Sequence, residues 1–102
     1  VSGMVEGTAY VVSAENPLDS FSGGILVAGF LKASQAHMFR DNQMLALVTD
    51  NGGISSHPAV LAREYGVIAI VGTGNATQRI PHGAQVIVDA REQQGIVEIV
   101  KG

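Results

Sequence analysis

Five short apolar runs separated by turn-forming residues constrain the fold of this chain more than any other feature. They cover residues 24–28, 44–48, 67–71, 83–89 and 95–100. Short runs without regular polar interruptions are typical of strands that are covered on both faces. The sequence predicts a central strand at residues 24–28, a hairpin formed by the last two runs, and a further strand within residues 3–12.

Two helices are predicted between these strands. Residues 56–65 form one, because Pro58 is tolerated in a first helical turn, where its missing N–H has no intrahelical partner. Gly66 suits the position just beyond the end of that helix. A shorter helix is predicted within residues 34–43, with Ser34 as its cap.

Length and composition restrict the class of protein. The 102 residues, 46% of them hydrophobic and 15% charged, predict one packed domain spanning residues 1–102. Nine acidic and six basic residues give a net charge of -3, with the cations scattered singly, which argues against nucleic-acid binding. No apolar run approaches the roughly 20 residues that span a bilayer, so no membrane association is expected. The opening residues lack an initiator Met, and we expect a piece of a larger multidomain protein.

The candidate site is the junction between the second apolar run and the predicted helix. Gly52 and Gly53 come first, and Ser55, Ser56 and His57 follow immediately before the helix. The free N–H groups of a first helical turn favour an anion, and glycines let a phosphate approach the backbone closely. The serine hydroxyls can add hydrogen-bond donors or simply cap the helix. This arrangement predicts a phosphate site with a histidine at its centre.

Histidine suits the role of nucleophile towards phosphorus. An imidazole with an unperturbed pKa of about 6.5 is largely neutral near pH 7, so a ring nitrogen can attack without a separate base. Covalent catalysis then divides one difficult transfer into two easier steps. We predict His57 as the catalytic residue, with Ser55 and Ser56 in support and Gly52 and Gly53 binding phosphate.

Residues 52–72 carry a family resemblance, in the stretch GGISSHPAVLAREYGVIAIVG. This stretch resembles the mobile phosphohistidine domain of phosphoenolpyruvate-utilizing enzymes, which include pyruvate phosphate dikinase, phosphoenolpyruvate synthase, enzyme I of the sugar phosphotransferase system and rifampin phosphotransferase. The similarity extends over nearly the whole chain, through residues 7–9, 25–28, 76–77, 83, 86, 88–89 and 95.

The resemblance implies an α/β fold, a three-layer β/β/α swivelling domain with the phosphohistidine at a helix N-terminus. It implies that His57 is phosphorylated on its outer ring nitrogen and shuttles phosphate between a nucleotide site and a phosphoenolpyruvate or pyruvate site on neighbouring domains. No cofactor is expected in this domain, whereas ATP and Mg²⁺ are expected on those partners. The parent would be a cytoplasmic phosphotransferase, and the chain alone would be inactive.

Departures from the family pattern leave a second hypothesis open. Ser55 stands where Thr is common, Pro58 where Ala is usual and Ile68 where Pro is usual, and residues 29–34 lack the usual Thr-x-Pro. The alternative is a non-catalytic swivel or interaction module that has lost phosphoryl transfer. A third hypothesis is a plain phosphate- or nucleotide-binding domain.

Two further patterns imitate functional motifs. Residues 69–76, with Asp89 closing a later strand, resemble a dinucleotide fingerprint. A parallel crossover needs about a dozen residues, more than separate this loop from the next strand, so we predict a turn there. His37, His57 and His82 match no metal-ligand spacing, so no metal site is predicted, and His37 and His82 are expected to be ordinary surface residues.

Overall fold

The computed structural model describes residues 3–30, 44–51, 64–90 and 95–101. Their strands, which we number in chain order, are β1 (Gly3–Val11), β2 (Gly24–Ala28), β3 (Met44–Thr49), β4 (Ile68–Ile70), β5 (Gln85–Ala90) and β6 (Gly95–Lys101). The helices described in full are a 3-10 helix at Leu18–Ser20 and an α-helix, α1, at Ala76–Arg79. No helix in this part of the chain is long and apolar enough to cross a bilayer.

All six strands belong to one mixed sheet, in the order β4-β3-β2-β1-β5-β6. Strands β1 to β4 run parallel to one another, whereas β5 is antiparallel to both of its neighbours, β1 and β6. The predicted strands are therefore confirmed, as are the central place of β2 and the hairpin of the last two runs. A mixed sheet with short helices agrees with the predicted α/β class.

Strand β2 is buried on both of its faces, which explains its unbroken apolar sequence. Its residues Ile25, Leu26 and Val27 are fully buried. Ile25 and Val27 pack with Val86 and Val88 of β5 in a cluster of buried residues that we call the inner cluster. Leu26 points to the other face, where it joins a second cluster of buried residues that includes Phe21. Because side chains alternate along a strand, two apolar layers require an apolar residue at every position.

The predicted helix over residues 56–65 falls mostly outside the described residues. Its last two residues, Glu64 and Tyr65, are helical, and Gly66 follows with φ +69°. A left-handed glycine at this position is the usual end of a helix, so the predicted stop at Gly66 is confirmed. The predicted helix within residues 34–43, the helical layer and the helix start at His57 lie outside the described residues and stay predictions.

Strands β4 and β6, the first and last in the order of the sheet, approach each other on the face that the inner cluster covers. A Cβ added to Gly95 of β6 would lie 2.6 to 3.0 Å from three side-chain carbons of Ile70 of β4. Ile70 and Val97 both pack against the inner cluster of buried residues. The sheet is therefore curved around this cluster, and the missing side chain of Gly95 leaves room for Ile70.

We expect Gly95→Ala to reduce the free energy of unfolding by about 1–3 kcal/mol, because the added methyl group forces β4 and β6 apart. Urea unfolding of the chain measures this change. The cost should become smaller when Ile70→Ala is already present, because that substitution opens space for the methyl group. An equal cost in both backgrounds would show that Gly95 and Ile70 are not in contact.

Candidate functional site

The residues predicted to form the site lie in one segment of sequence. Gly52, Gly53, Ser55, Ser56 and His57 all fall outside the described residues, so their roles stay predictions. The structure does describe the residues immediately before this segment, at the end of β3, and the helical residues after it.

The segment that contains His57 follows β3 in the parallel half of the sheet. Strand β3 lies between β2 and β4, and all three run in the same direction. Their carboxyl ends therefore meet at one edge of the sheet. In both open sheets and barrels of parallel strands, this is the edge at which ligands bind.

Hydrogen bonds hold Asn51, the last described residue before Gly52. Its backbone N–H and its side-chain Nδ2 both donate to the carbonyl oxygen of Gly29, at 3.0 and 3.2 Å. Its own carbonyl oxygen accepts a hydrogen bond from Thr49 Oγ1 at 2.8 Å. Asp50 N donates to the carbonyl oxygen of Ala28 at 3.1 Å. The hydrogen bonding between this part of the chain and the residues at the end of β2 thus continues for two residues beyond the end of β3.

The side chain of Asp50 joins β3 to the start of α1. Its Oδ1 accepts from Thr77 N at 3.0 Å, and its Oδ2 accepts from Thr77 Oγ1 at 2.5 Å. Thr73 Oγ1 lies 3.5 Å from Oδ1 and donates to the carbonyl oxygen of Thr49 at 3.0 Å. It also accepts from Ala76 N at 3.3 Å. We call Asp50, Thr73 and Thr77 the Asp50 cluster.

This cluster argues against nucleotide binding at the dinucleotide-like segment. Two N–H groups at the start of α1, those of Ala76 and Thr77, already donate to protein oxygens. The carboxylate of Asp50 would also repel a phosphate placed there. The next strand, β5, is antiparallel to β1 instead of continuing the parallel sheet beside β4. Residues 71–75 form the predicted turn after β4, and α1, which the sequence did not predict, begins directly after it at Ala76.

His82 has a more specific structural role than the surface position predicted for it. It is exposed, but its Nδ1 accepts a hydrogen bond from Val11 N at 3.1 Å. Its ring also contacts Tyr10 edge-on, with 5.0 Å between centroids. His82 therefore stabilises the end of β1. His37 lies outside the described residues, and within those described no group of His, Cys, Asp or Glu could hold a metal ion.

Sequence reasoning missed the Asp50 cluster. Residues 49–53 stood out only as turn-forming, and the contacts of Asp50 with Thr77 join residues 27 positions apart. No local pattern connects two such positions. A polar residue directly after a buried strand was the one available signal.

Comparison with known proteins identifies the family. Residues 21–93 match the family described as "PEP-utilising enzyme, mobile domain". The chain is 40% identical over 98 residues to a rifampicin phosphotransferase of Bacillus subtilis, covering 96% of this chain and 11% of that protein. It is 38% identical over 87 residues to a phosphoenolpyruvate synthase of Deinococcus radiodurans, covering 84% of this chain and 11% of that protein.

A solved structure shows the same fold. A solution NMR structure of Enzyme I aligns with a TM-score of 0.62 and 35% sequence identity, over 78% of this chain and 32% of that chain. The chain spans about a tenth of the length of the curated relatives it matches. On the match over residues 21–93, and on identities that extend over almost the whole chain, this protein belongs to the family of mobile domains of PEP-utilising enzymes.

Proposed function

We propose that this chain is the phosphoryl-carrying domain of a larger phosphotransferase and that His57 is the carrier. The observation that supports this most is the family match, because residues 21–93 include the whole segment from Gly52 to His57. The two relatives compared above are named as a phosphotransferase and a phosphoenolpyruvate synthase, and the chain spans about a tenth of the length of each. Other domains of the parent protein would therefore hold the donor and acceptor sites.

The proposed chemistry is a reversible covalent transfer. The lone pair of the outer ring nitrogen of His57 forms an N–P bond while the O–P bond of the donor breaks, and the donor oxygen keeps the electron pair. The other ring nitrogen keeps its proton throughout. In the second step an acceptor oxygen forms the new O–P bond, and the N–P bond breaks with its electron pair returning to the ring. Ser55 and Ser56 would donate hydrogen bonds to the transferring oxygens.

The proposed partners are an ATP-binding domain and a phosphoenolpyruvate- or pyruvate-binding domain of the parent protein. Bound Mg²⁺ on the nucleotide partner would neutralise phosphate charge. The domain would swivel between these two sites, as a carrier must, and would have no activity alone. A parent protein that uses ATP and phosphoenolpyruvate is expected in the cytoplasm.

The described residues just before the segment that contains His57 are firmly held. Strand β3 lies between two parallel neighbours and is buried at every position except Leu45, and Asn51 is held by three hydrogen bonds just before Gly52. Preorganised supports of this kind are what a reacting group requires, because small displacements are costly in rate.

The proposal is tested by measuring the intact mass of the parent protein at alkaline pH. The protein is incubated separately with phosphoenolpyruvate and with ATP plus Mg²⁺, and any adduct of about 80 Da, the mass of one phosphoryl group, is located by peptide mapping. We expect an acid-labile adduct on His57 with at least one donor. No adduct with either donor would favour the non-catalytic module instead.

One of the departures that motivated the non-catalytic alternative has a structural explanation. Ile68 is the first residue of β4, pairs with Ala46 and packs against the inner cluster of buried residues. Proline is itself tolerated at the first residue of a strand, so both residue types fit this position. Isoleucine in place of proline at this position therefore changes the packing of the core and gives no reason to expect loss of phosphoryl transfer. Pro58 lies outside the described residues.

A further inference from the structure

The Asp50 cluster connects three parts of the chain that meet at the carboxyl edge of the parallel strands. Asp50 follows β3, Thr73 follows β4, and Thr77 lies in α1. Two backbone hydrogen bonds run alongside the side-chain contacts, from Thr73 N to the carbonyl oxygen of Thr49 at 3.1 Å and from Gly74 N to that of Asp50 at 2.8 Å. The end of β3 is thus held on the β4 side as well as on the β2 side.

Two features strengthen the side-chain hydrogen bonds of the Asp50 cluster. Hydrogen bonds to a carboxylate are roughly twice as strong as those between neutral groups. Asp50 and Thr77 are both only partly exposed, which limits competition from water. Both oxygens of Asp50 are engaged with Thr77, so the carboxylate has a defined orientation.

We propose that Asp50, oriented by Thr77, is a positioning residue for phosphoryl transfer by His57. This inference rests on the proposed function. In it, the Asp50 cluster holds the end of β3 in place, which is where the segment containing His57 begins. A displacement of about 1 Å at a reacting group can lower a rate by about a hundredfold. A loosened anchor at Asp50 would therefore slow transfer even in a fully folded protein.

Thr77→Val in the intact parent protein tests this role. The substitution removes only the hydroxyl donor and keeps the shape of the side chain and the backbone N–H. We expect the rate of phospho-His57 formation to fall at least about tenfold, at a temperature where denaturant titration shows the variant to be fully folded. Thr77→Ser, which keeps the hydroxyl, should restore most of the rate.

Thr8→Val is the matched control, because it makes the same change on β1 at an exposed threonine that bonds Gln85 at 3.4 Å. Its rate of phosphorylation should equal that of the wild-type protein. The positioning role is overturned if wild-type and Thr77→Val proteins are phosphorylated at the same rate, or if Thr77→Ser is as slow as Thr77→Val. A wild-type protein that acquires no phosphohistidine overturns the carrier role first, and this role of the cluster with it.

Discussion

Replacing His57 by alanine is expected to reduce phosphoryl loading of the parent protein to background and to leave its stability almost unchanged. The loss is complete because no other side chain of the proposed site has a nitrogen nucleophile. The stability effect is small, within about 0.5 kcal/mol, because the sequence predicts His57 at an exposed helix start, where a side chain contributes little packing. Adduct mass and denaturant unfolding measure the two quantities on the same preparation.

His37→Ala provides the control for this substitution, since the sequence predicts an ordinary surface role for His37. It should retain full loading and full stability. Loading that survives in His57→Ala would place the carrier elsewhere. A loss of several kcal/mol in that variant would instead show that His57 is a buried structural residue.

Gly24→Ala is expected to produce the largest loss of stability in the described part of the chain. Gly24 begins β2 with φ +98°, a conformation that strains residues with a Cβ. An added Cβ would lie 2.7 Å from the backbone carbonyl oxygen of Thr8, which cannot move without disturbing β1. Backbone strain and overpacking each cost about 1–3 kcal/mol. We therefore expect a loss of about 2–6 kcal/mol in urea unfolding.

Gly29→Ala is a matched control just beyond the other end of the same strand. Gly29 has no positive φ, and an added Cβ would meet nothing within 4 Å. Its free energy of unfolding should change by less than about 0.5 kcal/mol, as is usual away from special backbone positions. Similar losses for Gly24→Ala and Gly29→Ala would contradict the close approach of β2 to Thr8.

The sequence predicted the strands well because burial on two faces leaves a strong local signal. The apolar runs at residues 24–28 and 44–48 lie within β2 and β3. The end of the helix at Gly66 was equally predictable, since a glycine directly after a helical pattern commonly ends the helix in a left-handed conformation. Each of these features depends on neighbouring residues alone.

Features that depend on distant residues were not predictable in this way. An apolar run indicates burial but does not reveal its partner strand, so the parallel pairing of β1 to β4 could not be derived from it. The bond from Val11 N to His82 Nδ1 joins residues 71 positions apart, and the contacts of Asp50 with Thr77 join residues 27 apart. The candidate site was predicted through its glycines, serines and histidine, whereas the Asp50 cluster beside it became visible only in the fold.

The most direct test of the carrier role is the time course of phospho-His57 in the intact parent protein, by rapid quench into alkali and compared with steady-state consumption of the donor. An intermediate on the reaction path must form at least as fast as the enzyme turns over. With the acceptor in excess over the donor, we predict that phospho-His57 reaches its steady level within the first turnover and disappears when the donor is exhausted. An adduct that forms more slowly than turnover, or that persists after the donor is gone, would contradict the account.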